Sequence, residues 1–383
     1  MASPFAQLGK LFGKALQNGS NGSVLGIDIG SSSIKIVQLR TSKGSAVLET
    51  YGEISLGPYA GVEVGKTTKL SPEKLVEALT DLMREANVTA KDAGISIPFS
   101  SSLLSVLDMP KVDPEQLKRM IPIEARKYIP VPVSEVMLDW FVIPEDGKEP
   151  DAFDRLEKET MLQKRGQEVL LAAIHNETLR SYQTIASSIG LRVSFYEIEI
   201  FSSIRSALGH TTTPIAIVDI GASTSKVYVV ERGVVRTSHL VNSGSQQMTE
   251  VLGRSMGWTF EKAERAKREW GLTEAPAYSK DESKKMHESL LSTLNRIFAD
   301  THRVLLTYGK RYNKTVAHIV FTGGGAALPG LSLAAQESLS SEVDMASPFS
   351  KVEAPAFLDD VLRSIGPGFA VALGVALRRL SEN

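Results

Sequence analysis

The chain has 383 residues, a formal net charge of −1 and no cysteine. This length exceeds what one hydrophobic core usually holds, so we expect two or more lobes, and the balanced charge argues against a nucleic-acid backbone as the main partner. The composition excludes disulfides, thiolate metal sites and cysteine nucleophiles, and no apolar run approaches the roughly 18 residues that span a bilayer, so we predict a cytoplasmic protein without a transmembrane segment.

The first predicted element is a short amphipathic helix within an N-terminal leader, residues 1–22. Phe5, Leu8, Phe12 and Leu16 share one helical face, two lysines lie further round, and the stretch "NGSNG" ends the pattern. The segment lacks the apolar stretch and cleavage site of a secretory signal. Contact with a membrane surface, packing on the protein's own body and fraying all remain open for it.

The next stretch, "VLGIDIGSSSIKIVQL" at residues 24–39, predicts a β-hairpin with an unusual turn. Gly30 lets the backbone turn closely, so that the amides of Ser31 to Ser33 can converge on an anion. Lys35 offers a positive charge to phosphate oxygens, whereas Asp28 repels phosphate unless a divalent ion stands between them. Mg²⁺ suits such a site, since it is held through waters by one or two carboxylates together with the phosphates.

The chain then changes texture. The stretch "SPEKLVEALTDLMREANV" predicts a helix that Ser71 caps, and a proline-rich module follows at residues 96–143, with a helix in "PEQLKRMIPIEARKYI" and a strand in "VMLDWFVI". A densely charged loop comes next, to which we assign no chemistry. A strand "EVLLAAI", a helix "NETLRSYQTIASSIG" and a strand "LRVSFYEIEI" lead out of the module.

The second half of the chain repeats the first hairpin. In "IAIVDIGASTSKVYVV", Asp219, Gly221 and Lys226 have the same spacing as their counterparts in the first hairpin, and both copies fit the pattern DIG-x-S-x-x-K. Two such copies are hard to ascribe to chance. If they face each other, they clamp a polyphosphate from both sides, with Asp28 and Asp219 around a metal ion and the backbones near the serines on the oxygens.

A late glycine-rich bend, "FTGGGAALPG", follows a predicted buried strand. Three consecutive glycines, Gly323 to Gly325, allow a flat ligand close to the backbone, and we expect the next helix to begin near Leu328. The stretch "GPGFAVALGVALRRL" then predicts a C-terminal helix rich in small residues.

Together, the two hairpins, the TGGG loop and the terminal helix resemble the actin, Hsp70 and sugar-kinase superfamily. Within it, "VLGIDIGSSSIKIVQL", "IPIEARKYIPVP" and "HIVFTGGGAALPGL" are similar to the PilM family of type IV pilus assembly proteins, which is related to FtsA. The resemblance runs from about residue 23 to the C-terminus. It implies an α/β, actin-like (ribonuclease H-like), duplicated two-lobe ATPase fold with an inserted FtsA-like 1C subdomain.

The implied domains are the leader at 1–22, lobe I (1A) at 23–95, the 1C-like subdomain at 96–190, a return to lobe I at 191–212, lobe II (2A) at 213–245, subdomain 2B at 246–314, lobe II again at 315–362 and a C-terminal helix returning to lobe I at 363–383. The sequence departs from the family pattern at Gly244-Ser245, where relatives often have two consecutive glycines. A side chain at this position affects how closely the backbone can approach a nucleotide.

Site residues follow from the resemblance. The implied cofactors are ATP and Mg²⁺, with Asp28 and Asp219 near the metal through water and Glu264 accepting from the ribose. Glu199 aligns with the acidic or amide group that relatives place near the attacking water. The implied nucleotide-binding residues are Asp28, Gly30, Ser31, Ser32, Ser33, Lys35, Asp219, Gly221, Ala222, Ser223, Thr224, Glu264, Lys267, Gly323, Gly324, Gly325 and Leu328.

Two classes of function compete. The resemblance favours an ATP-binding scaffold with at most weak ATPase activity, on the cytoplasmic face of the inner membrane, which captures the cytoplasmic tail of a PilN-like membrane protein and meets other pilus platform proteins and the assembly motor. Candidate tail contacts are Arg126, Lys127 and Tyr128. The alternative is a small-molecule (sugar) kinase, which needs a catalytic aspartate that we do not find. A relaxed P-loop match, "AGVEVGKT" at residues 60–67, leads into no helix and is rejected.

Overall fold

The computed structural model describes residues 22–144, 166–209 and 211–382. Most of the predicted leader and of the charged loop therefore lies outside the described residues. The strands are β1 (Val24–Ile29), β2 (Ser33–Ser42), β3 (Ser45–Ser55), β4 (Asp92–Ile97), β5 (Ser102–Met109), β6 (Val136–Val142), β7 (Gln167–His175), β8 (Arg192–Ile198), β9 (Ile215–Ile220), β10 (Ser225–Glu231), β11 (Val234–Val241), β12 (His318–Thr322) and β13 (Glu342–Met345). The α-helices are α1 (Pro72–Glu85), α2 (Pro114–Ala125), α3 (Asn176–Ser188), α4 (Glu199–Ala207), α5 (Ser245–Met256), α6 (Phe260–Glu269), α7 (Lys280–Tyr312), α8 (Leu331–Leu339) and α9 (Asp359–Glu382).

Two five-stranded sheets repeat the same topology. The first has the order β3-β2-β1-β4-β8 and the second the order β11-β10-β9-β12-β13. In each sheet the first strand pairs antiparallel with its hairpin partner and parallel with a later strand. The register is also shared, because Asp28 lies opposite Lys35 and Asp219 lies opposite Lys226. Both predicted hairpins are confirmed.

Along the chain, between β4 and β8 of the first sheet, a third sheet forms; it is antiparallel and has the order β5-β7-β6. Helix α2 packs on this sheet through Leu117 and Ile121, which join an apolar cluster with β5 and β7. The helix begins where the sequence predicts, because the carboxylate of Asp113 accepts hydrogen bonds from two backbone N–H groups of the first turn. We call β5, β6, β7 and α2 the insert.

Glu168, on β7, joins the insert to the second lobe. Its carboxylate pairs with Arg236 on β11 (3.0 Å) and with Arg311 on α7 (3.1 Å), and it accepts a hydrogen bond from the hydroxyl of Tyr312 (3.0 Å). One half-buried carboxylate therefore connects the insert to two elements of the second lobe. The domain boundaries assigned from the sequence stay a prediction.

The C-terminal helix α9 packs on β1, β2, β4 and α4 and completes the core of the first lobe. Its small residues allow close packing: a Cβ at Gly26 on β1 would collide with the backbone of Ala372. The helical stretch Ala356–Ser381 is, by length and composition alone, apolar enough to cross a membrane. In the fold, however, 61% of its apolar window is buried, as in the core helix of a globular domain.

Candidate functional site

A cleft of about 360 Å³ lies between the two five-stranded sheets. Both hairpin turns, the glycine-rich loop after β12, helix α6 and the middle of α9 line it. All seventeen residues that the sequence predicts to contact nucleotide line this cleft, and so does Glu199. Residues far apart in the chain therefore converge on one cavity, which is what a shared ligand site requires.

The two hairpin turns face each other across the cleft. Gly30 N–H donates to the carbonyl of Ser33 and Gly221 N–H donates to the carbonyl of Thr224, each at 3.0 Å, so the turns have the same construction. The hydroxyl of Ser31 donates to the hydroxyl of Ser223 at 3.1 Å. The hydroxyl groups and backbone amides of both turns can therefore reach one anion between them.

Asp28 lies at the floor of the cleft. The hydroxyl of Ser96 on β4 donates to its Oδ1 atom at 2.7 Å and fixes the carboxylate. Burial raises the pKa of Asp28 above its ordinary value, although the positive charge of Lys35 acts in the opposite direction. A carboxylate that loses its hydration in this way is stabilised when a cation enters the site.

Lys226 forms two buried ion pairs in the cleft. Its Nζ atom lies 3.0 Å from Glu199 Oε2 and 3.3 Å from Asp219 Oδ2, and all three side chains are less than 12% exposed. Burial lowers the pKa of Lys226, but the two carboxylates outweigh this effect and the net pKa is raised. This lysine belongs to the repeated motif but is not among the site residues predicted from the sequence.

Lys35 has a different partner from its counterpart. Its Nζ atom lies 3.0 Å from Glu53 Oε1 and donates to the hydroxyl of Ser33 at 2.8 Å. Glu53 is placed there because β2 and β3 pair Lys35 with Glu53 in register. Glu53 is not among the site residues predicted from the sequence, although the pairing of two adjacent strands could have indicated it.

Both carboxylate oxygens of Glu264 accept hydrogen bonds. Lys267 lies 2.7 Å from Oε2, to which the hydroxyl of Thr249 also donates, and Arg268 lies 2.6 Å from Oε1. Burial raises the pKa of Glu264, but Lys267 and its other donors outweigh burial and leave it below the ordinary value. The carboxylate is therefore ionised and retains acceptor capacity toward a ligand hydroxyl.

The segment "AGVEVGKT" crosses from the first lobe to the helices of the second. Thr67 N–H donates to the side chain of Gln246 at 2.6 Å, and Lys66 lies 5.1 Å from the ring centroid of Phe260. Gly65, with a φ of +92°, lies against the side chain of Glu264. No helix follows until Pro72, which agrees with the rejection of a P-loop; the segment instead bridges the cleft.

The glycine-rich loop approaches the second hairpin closely. Gly323 has a φ of +85°, and a Cβ on it would collide with the carboxylate of Asp219. Its N–H donates to the carbonyl of Pro367 on α9 at 2.8 Å. The expected helix start near Leu328 needs correction, because a short 3₁₀ turn ends at Ala327 and α8 begins at Leu331.

The three residues predicted to contact a peptide lie on the insert, outside the cleft lining. Arg126 follows the last residue of α2, and Lys127 and Tyr128 come next. All three are exposed, Tyr128 to 42%, and Lys127 pairs with Glu124 at 2.8 Å. Their role in peptide binding stays a prediction.

The donor set fits a magnesium ion carried in with a phosphate ligand. Among residues 22–144, 166–209 and 211–382, no group of three or more His, Asp or Glu side chains is arranged to hold a metal. Asp28 and Asp219 do line one cavity, beside the serine hydroxyls. One or two carboxylates are what Mg²⁺ uses when waters and phosphates complete its shell, so the residues fit a metal that binds together with its ligand.

Comparisons with known proteins identify relatives of this chain. A family model described as "Type IV pilus assembly protein PilM" matches residues 26–380. The cell division protein FtsA of Bacillus subtilis (strain 168) is 22% identical over 373 residues, which cover 89% of this chain and 82% of FtsA. The solved PilM-PilN type IV pilus biogenesis complex matches with a TM-score of 0.75 and 21% identity, over 94% of this chain and 99% of that one.

MreB 5 of Spiroplasma citri, solved with bound AMPPNP, matches with a TM-score of 0.53 and 12% identity, over 95% of this chain and 98% of that one. These structural likenesses show that the chain has the actin-like ATPase fold, so the fold class predicted from the sequence is confirmed.

Proposed function

The chain belongs to the PilM family of type IV pilus assembly proteins, and from this premise we propose that it is an ATP-binding scaffold that captures the cytoplasmic tail of a PilN-like inner-membrane protein. The tail would hold the protein at the cytoplasmic face of the inner membrane. The observation that carries the proposal is the cleft between the two sheets, where every residue implied by the family pattern for nucleotide binding converges.

Several contacts support ATP with Mg²⁺ as the ligand. The facing turns offer backbone amides and hydroxyls to phosphate oxygens, and Asp28 and Asp219 offer carboxylates to a metal that travels with them. Glu264, kept ionised by its basic neighbours, would accept hydrogen bonds from ribose hydroxyls. The glycines after β12 leave room for a flat base. The likeness to MreB 5, solved with AMPPNP, is in keeping with this assignment.

The partner follows from the family and from the likeness to the PilM-PilN complex. The insert carries exposed basic and aromatic side chains at the end of α2, namely Arg126, Lys127 and Tyr128. Such side chains suit a peptide that is held by charge contacts and by an apolar anchor. The family match does not favour the small-molecule kinase.

ATP binding is tested by titration calorimetry in the presence of Mg²⁺. We expect Asp28→Ala to weaken ATP binding at least about tenfold, because it removes support for the metal and little core volume. Asp281→Ala, at an exposed position at the start of α7, serves as the control and should bind as the wild type does. Unchanged ATP affinity in Asp28→Ala would count against the site.

Tail capture is tested by fluorescence anisotropy with a labelled peptide from the N-terminus of a PilN-like protein. We expect Tyr128→Ala to weaken peptide binding and Lys118→Ala, an exposed residue earlier on α2, to leave it unchanged. If the peptide binds both variants equally well, the binding surface does not include Tyr128. A peptide that does not bind the wild type would refute the partner.

A further inference from the structure

Glu199 is the group that the family pattern places near the attacking water, yet both of its oxygens are engaged. The backbone N–H of Phe99 donates to Oε1 at 2.6 Å, and Lys226 lies 3.0 Å from Oε2. Both residues are buried: Glu199 is 8% exposed and Lys226 is 9% exposed. Glu199 begins α4 in the first lobe and Lys226 lies on β10 in the second, so the ion pair also ties the two lobes together.

Hydrolysis of ATP asks something specific of such a carboxylate. The water oxygen forms a bond to the γ-phosphorus, the bond between that phosphorus and the β–γ bridging oxygen breaks, and its electron pair leaves with ADP. The proton lost by the water must be accepted by a base or passed to phosphate. A carboxylate whose two oxygens are held by a backbone N–H and a buried ammonium group cannot turn freely toward the water. Burial raises the pKa of Glu199, and the charge of Lys226 acts in the opposite direction.

The first hairpin provides an internal comparison. Lys35 has the same place in its hairpin as Lys226, but its side chain pairs with Glu53 at the edge of the cleft. The repeated motif alone therefore does not bring its lysine into contact with the buried carboxylates of the cleft. The contact between Lys226 and Glu199 depends on how the second hairpin meets α4.

We propose that Lys226 is a positioning residue that restrains ATP hydrolysis by holding Glu199 in a buried ion pair between the two lobes. The proposal rests on the proposed binding of ATP in the cleft. It describes a protein that keeps its nucleotide as a structural element and turns it over slowly. The distinctive consequence is that loss of the lysine charge raises the rate of hydrolysis.

The test measures phosphate release from Mg²⁺ and ATP by the full chain. We expect Lys226→Gln to raise kcat about tenfold or more, since general-base catalysis contributes on that scale or above. KM is measured separately, because Lys226 also lies 3.3 Å from Asp219. Lys226→Arg, which keeps the charge, should return kcat toward that of the wild type. Glu199→Gln added to Lys226→Gln should remove the gain, because the base itself is then absent. The control is Lys280→Gln, an exposed lysine on α7.

Calorimetry with ATP separates the two possible failures. If the wild type does not bind ATP, the proposed function is wrong and this inference falls with it. If Lys226→Gln binds ATP but its kcat does not rise, or if the rise persists without Glu199, only the restraint by Lys226 is refuted. Should thermal melting show that Lys226→Gln does not fold, Lys226→His takes its place under the same criteria.

Discussion

Glu197 is the centre of a buried ion cluster that fastens α9 and α4 to the first sheet. Arg205 donates to both of its oxygens at 2.8 Å, Arg378 donates to Oε1 at 2.7 Å and Ser202 donates to Oε2 at 2.6 Å. Burial acts to raise the pKa of Glu197, but Arg205 and then Arg378 outweigh it and lower the pKa to about 2. Glu197 is only 1% exposed, so solvent screens these interactions little.

We predict that Glu197→Gln lowers the free energy of unfolding by about 3 kcal/mol at pH 7. A pKa of about 2 in place of 4.5 corresponds to roughly that amount, at about 1.4 kcal/mol for each pKa unit. The loss also falls within the range of about 3–5 kcal/mol for removing one partner of a buried pair. The measurement is urea denaturation followed by far-UV circular dichroism, with the exposed Glu337→Gln as the matched control.

The pH dependence gives this prediction a second measurement. Because the pKa of Glu197 is lower in the folded chain, its contribution is complete above pH 4.5 and is lost as the pH falls toward 2. The difference between wild type and Glu197→Gln should therefore shrink over that interval. A Glu197→Gln variant that unfolds within about 0.5 kcal/mol of the wild type at pH 7 would refute the reasoning, since that is the range of ordinary surface substitutions.

Two further predictions concern the cleft and the insert. Gly323→Ala should lower the free energy of unfolding by about 2 kcal/mol or more and weaken ATP binding, because its φ is +85° and a Cβ would collide with Asp219. The control Gly44→Ala, with a φ of +83° and open space around it, should lower the free energy of unfolding less. Equal losses in urea denaturation would contradict the collision. Glu168→Gln should weaken the contact between insert and second lobe, which hydrogen exchange would detect as faster exchange in β7 with the first sheet unaffected; unchanged exchange in β7 would contradict this role.

Local sequence signals predict much of this fold. The two hairpins follow from an acid, a glycine and a lysine at fixed spacing between apolar strands, and the structure places both in the same register. Helix α1 starts after Ser71, whose hydroxyl accepts from the backbone N–H of Lys74. These features depend on residues close in the chain, so a single sequence is enough to indicate them.

Contacts between distant segments were not predictable in the same way. Nothing in the chain near Lys226 indicates that its partner is Glu199, because that pairing depends on where α4 meets the second hairpin. The bridging segment before α1 resembled a poor P-loop, and its true contacts, such as that of Thr67 with Gln246, appear only once both lobes are in place.

The position of α9 has a consequence for how this protein is made. Among the described elements, β1 and β2 are synthesised first and α9, which packs on both of them, is synthesised last. During translation, an apolar sheet face therefore stays uncovered until α9 is made, which favours slow folding of the first lobe and a need for chaperones. A ribosome that stalls before α9 would release a product whose first lobe cannot close.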